Sequence, residues 1–410
     1  MKTANIEWRV IFTIKVNLTV HEEITKMTIL GIDEFSKSAS KFKGKNIAIL
    51  TNASGVNTKL KNDLDLLLEM NLNVVKLFGP EHGIWGVAED GRNVSHTIEP
   101  NYNLPVFSLY GETNRPTDEM LKDVDVLVYD IQDVGLRFYT YIYTLVYAME
   151  ECGKKGIKVV ILDRPNPLSG KVEGPVISKK FESFVGGYGL TLRYGLTVGE
   201  LALYFNERYD MNVDLEIVRM KNWKRWMYFD DTHQLWNTPS PNLPSLEHSI
   251  LYAGMCLLEG INVSVGRGTV HPFKYIGAPW MDSKSLKKEM EKKEHPGVAF
   301  RERFFSPLTS KYKGELCKGL EFFVLDKNEI KPLELALELI LTIKELHPNE
   351  FKWDKSYHNA NGSYHFDLLI GSEKYRKMID REKSVNEISA TWKEEVEEFK
   401  EISKEFYIYD

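Results

Sequence analysis

"DVDVLVYDIQDVGLRFYTYIYTL" (residues 123–145) decides the fold. Val126, Leu127, Val128 and Tyr129 form a near-continuous apolar run, which is how a strand covered on both faces reads. Beyond Arg137, apolar residues return at Phe138, Tyr141, Ile142, Leu145, Val146 and Met149, the i, i+3, i+4 spacing of a helix with one buried stripe. Tyr139 and Tyr143 fall off that stripe. Asp130, Gln132, Asp133 and Arg137 stand between the two periodicities. A strand therefore runs into a helix through a polar turn, which is half of a βαβ unit.

The same rhythm extends in both directions. "KNIAILTN" (45–52), "NVVKLFG" (73–79), "PVFSLYG" (105–111), "IKVVILD" (157–163) and "LEIVRM" (215–220) read as further strands. Leu60, Leu64, Leu67 and Leu68 mark a helix between the first two. Residues 197–209 form another, capped by Thr197 with Glu200 three positions on. Strands alternating with helices predict an α/β fold built on a doubly wound, mostly parallel sheet. From about residue 221 the pattern becomes irregular and rich in Trp, Pro and Asn. A helix over 245–259, a strand at 320–325, a helix at 333–346 and a charged helix near 385–405 predict a second, smaller α/β domain. The expected organisation is an N-terminal extension (1–27), a catalytic domain (28–260) and a C-terminal domain completing a cleft (261–410).

Composition narrows the function. The 410 residues carry 53 Lys and Arg against 59 Asp and Glu, a net charge of −6 without a long basic block, which argues against nucleic acid or an anionic membrane as partner. Cys152, Cys256 and Cys317 are far apart and odd in number, so they read as core thiols rather than a disulfide or zinc framework. No segment is apolar enough to span a bilayer. Lys15 and Asn17 interrupt the N-terminal apolar stretch, so no signal peptide is read and a cytoplasmic location is expected. Residues 12–20 alternate as a half-buried strand would; alternatively Met27 is the natural start. A dimer is among the oligomeric states left open.

Ligands of open α/β sheets bind beyond the carboxyl ends of the strands. Those ends carry Asn52 and Ser54; Glu81 and His82; Tyr110 and Glu112; Asp130, Gln132 and Asp133; and Asp163, Arg164 and Asn166. Asp163 reads equally well as a helix cap, and Arg137 with Asp133 as a salt bridge that sets the turn. Glu81, between Pro80 and His82-Gly83, is too constrained for an ordinary solvated glutamate. Dinucleotide, Walker A, zinc-peptidase and nucleophile-elbow signatures do not occur. Carboxylates with amides, hydroxyls, arginine and aromatic rings suit a hydroxyl-rich substrate. Two carboxylates in different environments suit glycosidic cleavage.

"LFGPEHGIWG", "SLYG", "VYDIQDVGLRFYTYI", "LDRPNPLSGKVEGP", "GLTVGELALYF", "LLEGINVSVGRGTVHPF" and "GAPW" resemble, in order, the signature blocks of the NamZ/YbbC family. The resemblance runs from about Gly31 to the C-terminus. It implies a Rossmann-like domain, a smaller second domain and an exo-β-N-acetylmuramidase acting on peptidoglycan fragments, without metal or other cofactor. It makes Glu81 the expected general acid, with Asp130 and Asp133 as further catalytic candidates. Asn52, Ser54, His82, Tyr110, Gln132, Arg137, Tyr139, Tyr141, Arg164, Asn166, Glu173 and Arg267 are the expected substrate-binding residues. The lactyl carboxylate of the sugar calls for a cation, Arg267 or Arg164. Residues 223–246 and the "GRGTVHPF" loop are the expected pocket walls. Inverting, retaining and substrate-assisted courses stay open. So do two rivals: a Mg²⁺-dependent phosphoryl-transfer enzyme using Asp130, Asp133 and Glu81, and a non-catalytic sugar-binding module.

Overall fold

Six of the apolar runs become strands of one sheet in the computed structural model, which describes residues 26–88, 96–355 and 362–410. The extension and its expected strand over 12–20 lie outside the described residues. The strands are β1 (Asn46–Thr51), β2 (Asn73–Gly79), β3 (Thr97–Glu99), β4 (Leu104–Ser108), β5 (Val126–Asp130), β6 (Lys158–Leu162) and β7 (Leu215–Val218). Their order is β3-β4-β2-β1-β5-β6-β7. All neighbours are parallel except β3, a short antiparallel edge whose three residues carry no apolar run of their own.

The continuous apolar runs resolve into two faces because side chains alternate along a strand. Ile47, Ile49, Val126, Val128, Val160 and Leu162 pack with Phe35, Phe42, Leu64 and Leu67 on one side. Ala48, Leu50, Leu127, Tyr129, Val159 and Ile161 face the helices Tyr141–Lys155 and Val198–Arg208 on the other. Both faces are therefore buried, as a parallel sheet requires. The first of these helices begins at Tyr141, so Phe138 and Tyr139 precede it. The second carries the expected capping box between Thr197 and Glu200.

The second half contains an antiparallel sheet of order β8-β10-β9, made by β8 (Tyr275–Ala278), β9 (Val298–Phe305) and β10 (Cys317–Val324). Helices Leu246–Met255 and Pro332–Leu346 pack together beside it, and their apolar side chains continue the core of the large sheet. The charged terminal helix is two helices, Val385–Ala390 and Lys393–Lys404. Trp392, buried against Tyr375, occupies the break. All three cysteines are buried and unpaired.

The chain then returns to the first sheet. Tyr409 Oη donates to Asp163 Oδ2 at 2.6 Å, Ile408 N to Glu200 Oε1 at 3.0 Å, and Arg225 N to the Asp410 carbonyl at 3.0 Å. Arg225 also pairs with buried Glu200 and lies 3.4 Å from the Tyr407 ring centre. Nearby, Ile29 bridges Lys221, and Thr28 N donates to the Thr232 carbonyl.

The contact between the two long helices depends on Gly254, where any Cβ would overlap the Pro332 carbonyl. Gly254→Ala is expected to lower stability by about 2–3 kcal/mol or more through overpacking. Urea denaturation measures it, and an unchanged midpoint rejects this account of the helix contact.

Candidate active site

The strand order reverses between β1 and β5, because β1 leads outward to β2 and β5 to β6. Such a switch point opens a crevice beyond the strand ends. Thr51 and Asp130 end the two central strands in register. Asp130 is fully buried and takes both arms of Arg164, from Nε at 2.6 Å and Nη2 at 2.9 Å. Arg164 also donates to the Val56 carbonyl at 2.8 Å. Asp63 lies beside this pair and accepts from Thr51 Oγ1. Burial, then the Asp130 charge, pushes Asp63 well above the usual carboxylate range.

The rest of the floor is equally self-contained. Ser54 Oγ donates to Asn52 Oδ1 and accepts from Gln132 N at 2.9 Å. Gln132 Nε2 reaches the Asp133 and Pro165 carbonyls, both at 2.8 Å. Asp133 Oδ2 accepts from Gly135 N at 2.7 Å and from Tyr194 Oη. Its Oδ1 is buried without a hydrogen-bond partner, and burial raises the carboxyl to about 6. Gly135, at φ +76°, lets this turn pass over the Asn166 side chain.

Glu81 follows β2 and is half-buried. Its Oε2 accepts from Thr140 Oγ1 at 2.8 Å. Thr140 precedes the first turn of the Tyr141–Lys155 helix, so the carboxyl group lies at the positive end of a 15-residue helix. Segment 236–243 covers the neighbouring strand ends. Asn237 Nδ2 donates to the Ala53 carbonyl at 2.7 Å. Tyr141 Oη and Asn52 Nδ2 both reach the Pro239 carbonyl, at 2.9 and 3.3 Å. Of the Trp/Pro-rich stretch expected as a wall, Asn237 and Pro239 thus lie over the strand ends, whereas Trp223 packs on Tyr409. In the "GRGTVHPF" loop, His271 Nδ1 lies 3.3 Å from His248 Nε2. His248 Nδ1 lies 2.8 Å from Ser245 Oγ. Burial, then the charges of Lys274 and His271, push His248 down to about 4.

The model for the exo-β-N-acetylmuramidase NamZ N-terminal domain matches residues 47–247, and that for its C-terminal domain matches 250–409. The chain belongs to this family. The peptidoglycan β-N-acetylmuramidase NamZ of Bacillus subtilis (strain 168) is 43% identical over 382 residues, covering 92% of this chain and 91% of that protein. Two crystal structures of DUF1343 family proteins from Bacteroides fragilis NCTC 9343 are also similar. They have TM-scores of 0.85 and 0.73 at 33% and 32% identity, and each comparison covers 94% of this chain and 99% of the other.

Several side chains expected to touch a ligand of a NamZ-family enzyme have other tasks in this geometry. Arg137 is fully buried, and its guanidinium donates to the carbonyls of Pro175, Leu190 and Leu369. It ties three segments together and makes no salt bridge to Asp133. Asn166 fixes its own turn through Leu168 N and the Leu196 carbonyl. Glu173 pairs with Arg193 beside the Lys393–Lys404 helix. Arg267 pairs with Glu259 at 2.5 Å and lies over Phe273, while Arg164 is committed to Asp130. Both arginines expected for a substrate carboxylate thus already hold one.

Tyr110 packs on Phe184. Tyr139 and Tyr141 stack edge to face, and Tyr143, off the expected stripe, is fully buried. The loop that follows β6 covers this second helix face, and its Gly187 N donates to Tyr143 Oη at 3.0 Å. Asp163 serves the start of the helix that Thr197 caps, accepting from Gly199 N and from Thr197 Oγ1, both at 2.8 Å. Thr140, Tyr194, His248 and His271 were not singled out from sequence.

Raising Asp133 to about 6 has a consequence for stability. Between its ordinary 3.8 and 6, the native state holds a proton that the unfolded chain has released. The Asp133 contribution therefore makes stability fall as pH rises through that window. Asp133→Asn keeps an acceptor for Gly135 N and Tyr194 Oη but cannot titrate. Its stability is expected to decline less steeply from pH 4 to pH 6, by up to about 1.4 kcal/mol per pH unit. Urea melts across that range check it, and parallel wild-type and variant curves reject the assignment.

Proposed function

We propose that the chain removes N-acetylmuramic acid from the non-reducing end of peptidoglycan fragments, with Glu81 as general acid. The observation that supports this most is where Glu81 stands, at the end of β2 and against Thr140 at the start of a helix, while the other strand-end carboxyl groups build the crevice floor. Asp130 is held by Arg164, Asp133 by Tyr194 and a backbone amide, and Asp163 by a helix start. Glu81 is half-buried and its oxygen receives a hydroxyl donor from Thr140.

In this reading the Glu81 carboxyl group delivers its proton to the glycosidic oxygen as the bond from that oxygen to C1 breaks, so the second sugar leaves as an alcohol. The Thr140 hydroxyl holds the carboxyl group in place and supports the carboxylate that forms. The adjacent helix start stabilises the same negative charge. Water then supplies the new oxygen at C1. Asp133 shapes the floor, and Asp130 holds β5 to β6. The phosphoryl-transfer alternative needs Asp130, Asp133 and Glu81 to converge on one cation. Each has a different partner, and among the described residues no three His, Cys, Asp or Glu side chains form a potential metal set.

A chromogenic β-N-acetylmuramide should be hydrolysed and its glucosaminide counterpart should not; equal turnover, or none of the muramide, rejects the reading. Glu81→Gln keeps an acceptor for Thr140 but has no proton to deliver. It is expected to fold, bind substrate and lose about 10²–10⁴ in turnover of the natural disaccharide, with a much smaller loss on a nitrophenyl glycoside. Disaccharide turnover within a few-fold of wild type would remove Glu81 from the acid role.

A further inference from the structure

Trp85 is 46% exposed, four residues beyond Glu81. Single exposed apolar side chains are ordinary. This one is held at the tip of a tightly closed loop. His82, Gly83 and Gly86 adopt φ of +70°, +73° and +66°. Gly83 N donates to the Pro80 carbonyl at 2.9 Å, and Gly86 N to the Gly83 carbonyl at 3.2 Å. Residues 82 and 88 close the loop twice: Ala88 N donates to the His82 carbonyl at 3.4 Å, and the buried His82 ring donates from Nδ1 to the Ala88 carbonyl at 2.7 Å.

The loop also has a defined inside. Ile84 turns inward, 3.0 Å from where a Gly79 Cβ would lie. Gly86 rests on Ala53, 3.6 Å from its own notional Cβ. Ala53 is the residue whose carbonyl receives Asn237 from the crevice wall. The loop that carries Trp85 thus runs from Glu81 to a contact with Ala53 at the β1 end of the crevice, and the indole ring is half-exposed on it. Val87, 79% exposed, extends the same apolar surface.

We propose that Trp85 is the stacking platform for the sugar that leaves, the residue one step beyond the scissile bond. This rests on the muramidase reading and adds a specificity-determining residue to it. A pyranose has an apolar C–H face that an indole ring covers well, while its hydroxyls stay in water at the loop tip. Glu81 must reach the glycosidic oxygen, so the next sugar has to lie close to the loop that carries Glu81. A half-exposed indole four residues away is suited to that position.

The test compares two substrates that differ only beyond the scissile bond. N-acetylmuramyl fluoride has no second sugar and needs little proton assistance. The natural disaccharide has N-acetylglucosamine in that place. Trp85→Ala is expected to raise KM for the disaccharide roughly five- to thirty-fold, the scale of an aromatic contact with its buried area, and to leave the fluoride within two-fold. Trp85→Phe should recover most of the loss. Equal losses on both substrates would make Trp85 a support for the loop, and no loss on either would exclude the contact; each overturns the proposal. Failure of the wild-type protein on both would instead remove the underlying muramidase reading.

Discussion

The pair formed by Arg164 and Asp130 sets the geometry of the strand ends. One guanidinium joins the turn after β6, the last residue of β5 and the loop after β1. A carboxylate with no solvent exposure is tolerable only when paired and hydrogen-bonded, and the two-pronged contact provides both. Lysine, a single-point cation, could not reproduce it. Once these three ends are fixed, Ser54 can receive the amide of Gln132, and Gln132 can reach the turn after β6. The crevice floor is thus rigid and largely satisfied from within. Glu81 stands apart from this floor, at the end of β2, where its carboxyl group meets the start of a helix.

Much of this architecture can be read from residue types. Runs such as "NIAIL" and "VLVY" announce strands with two covered faces, and the Thr197–Glu200 box marks a helix start by side-chain type and spacing alone. The second sheet was harder to see. β9 carries Arg301, Glu302 and Arg303 because it is an edge strand with solvent on one side, and β8 is only four residues long. The helix break at Trp392 is set by packing on Tyr375, not by a proline or glycine.

The converging edge was legible as well, but the division of labour along it was not. Arginine, asparagine and aspartate serve buried backbone groups as readily as they serve ligands. Arg137 illustrates the difficulty, since its partners lie 38, 53 and 232 residues away in sequence. Thr140 shows the reverse: a hydroxyl within a run of tyrosines becomes informative only when Glu81 is placed against it.

The return of residues 407–410 to the first sheet has a mechanical consequence. The second half departs from that sheet near residue 245 and is fastened back to it through Asp163, Glu200 and Arg225. A lobe tied back to the first sheet at a second point has fewer ways to move than one tied at a single point. Such a double attachment favours a crevice whose shape is set before the ligand arrives, so that recognition resembles insertion into a fixed mould more than capture by a jaw.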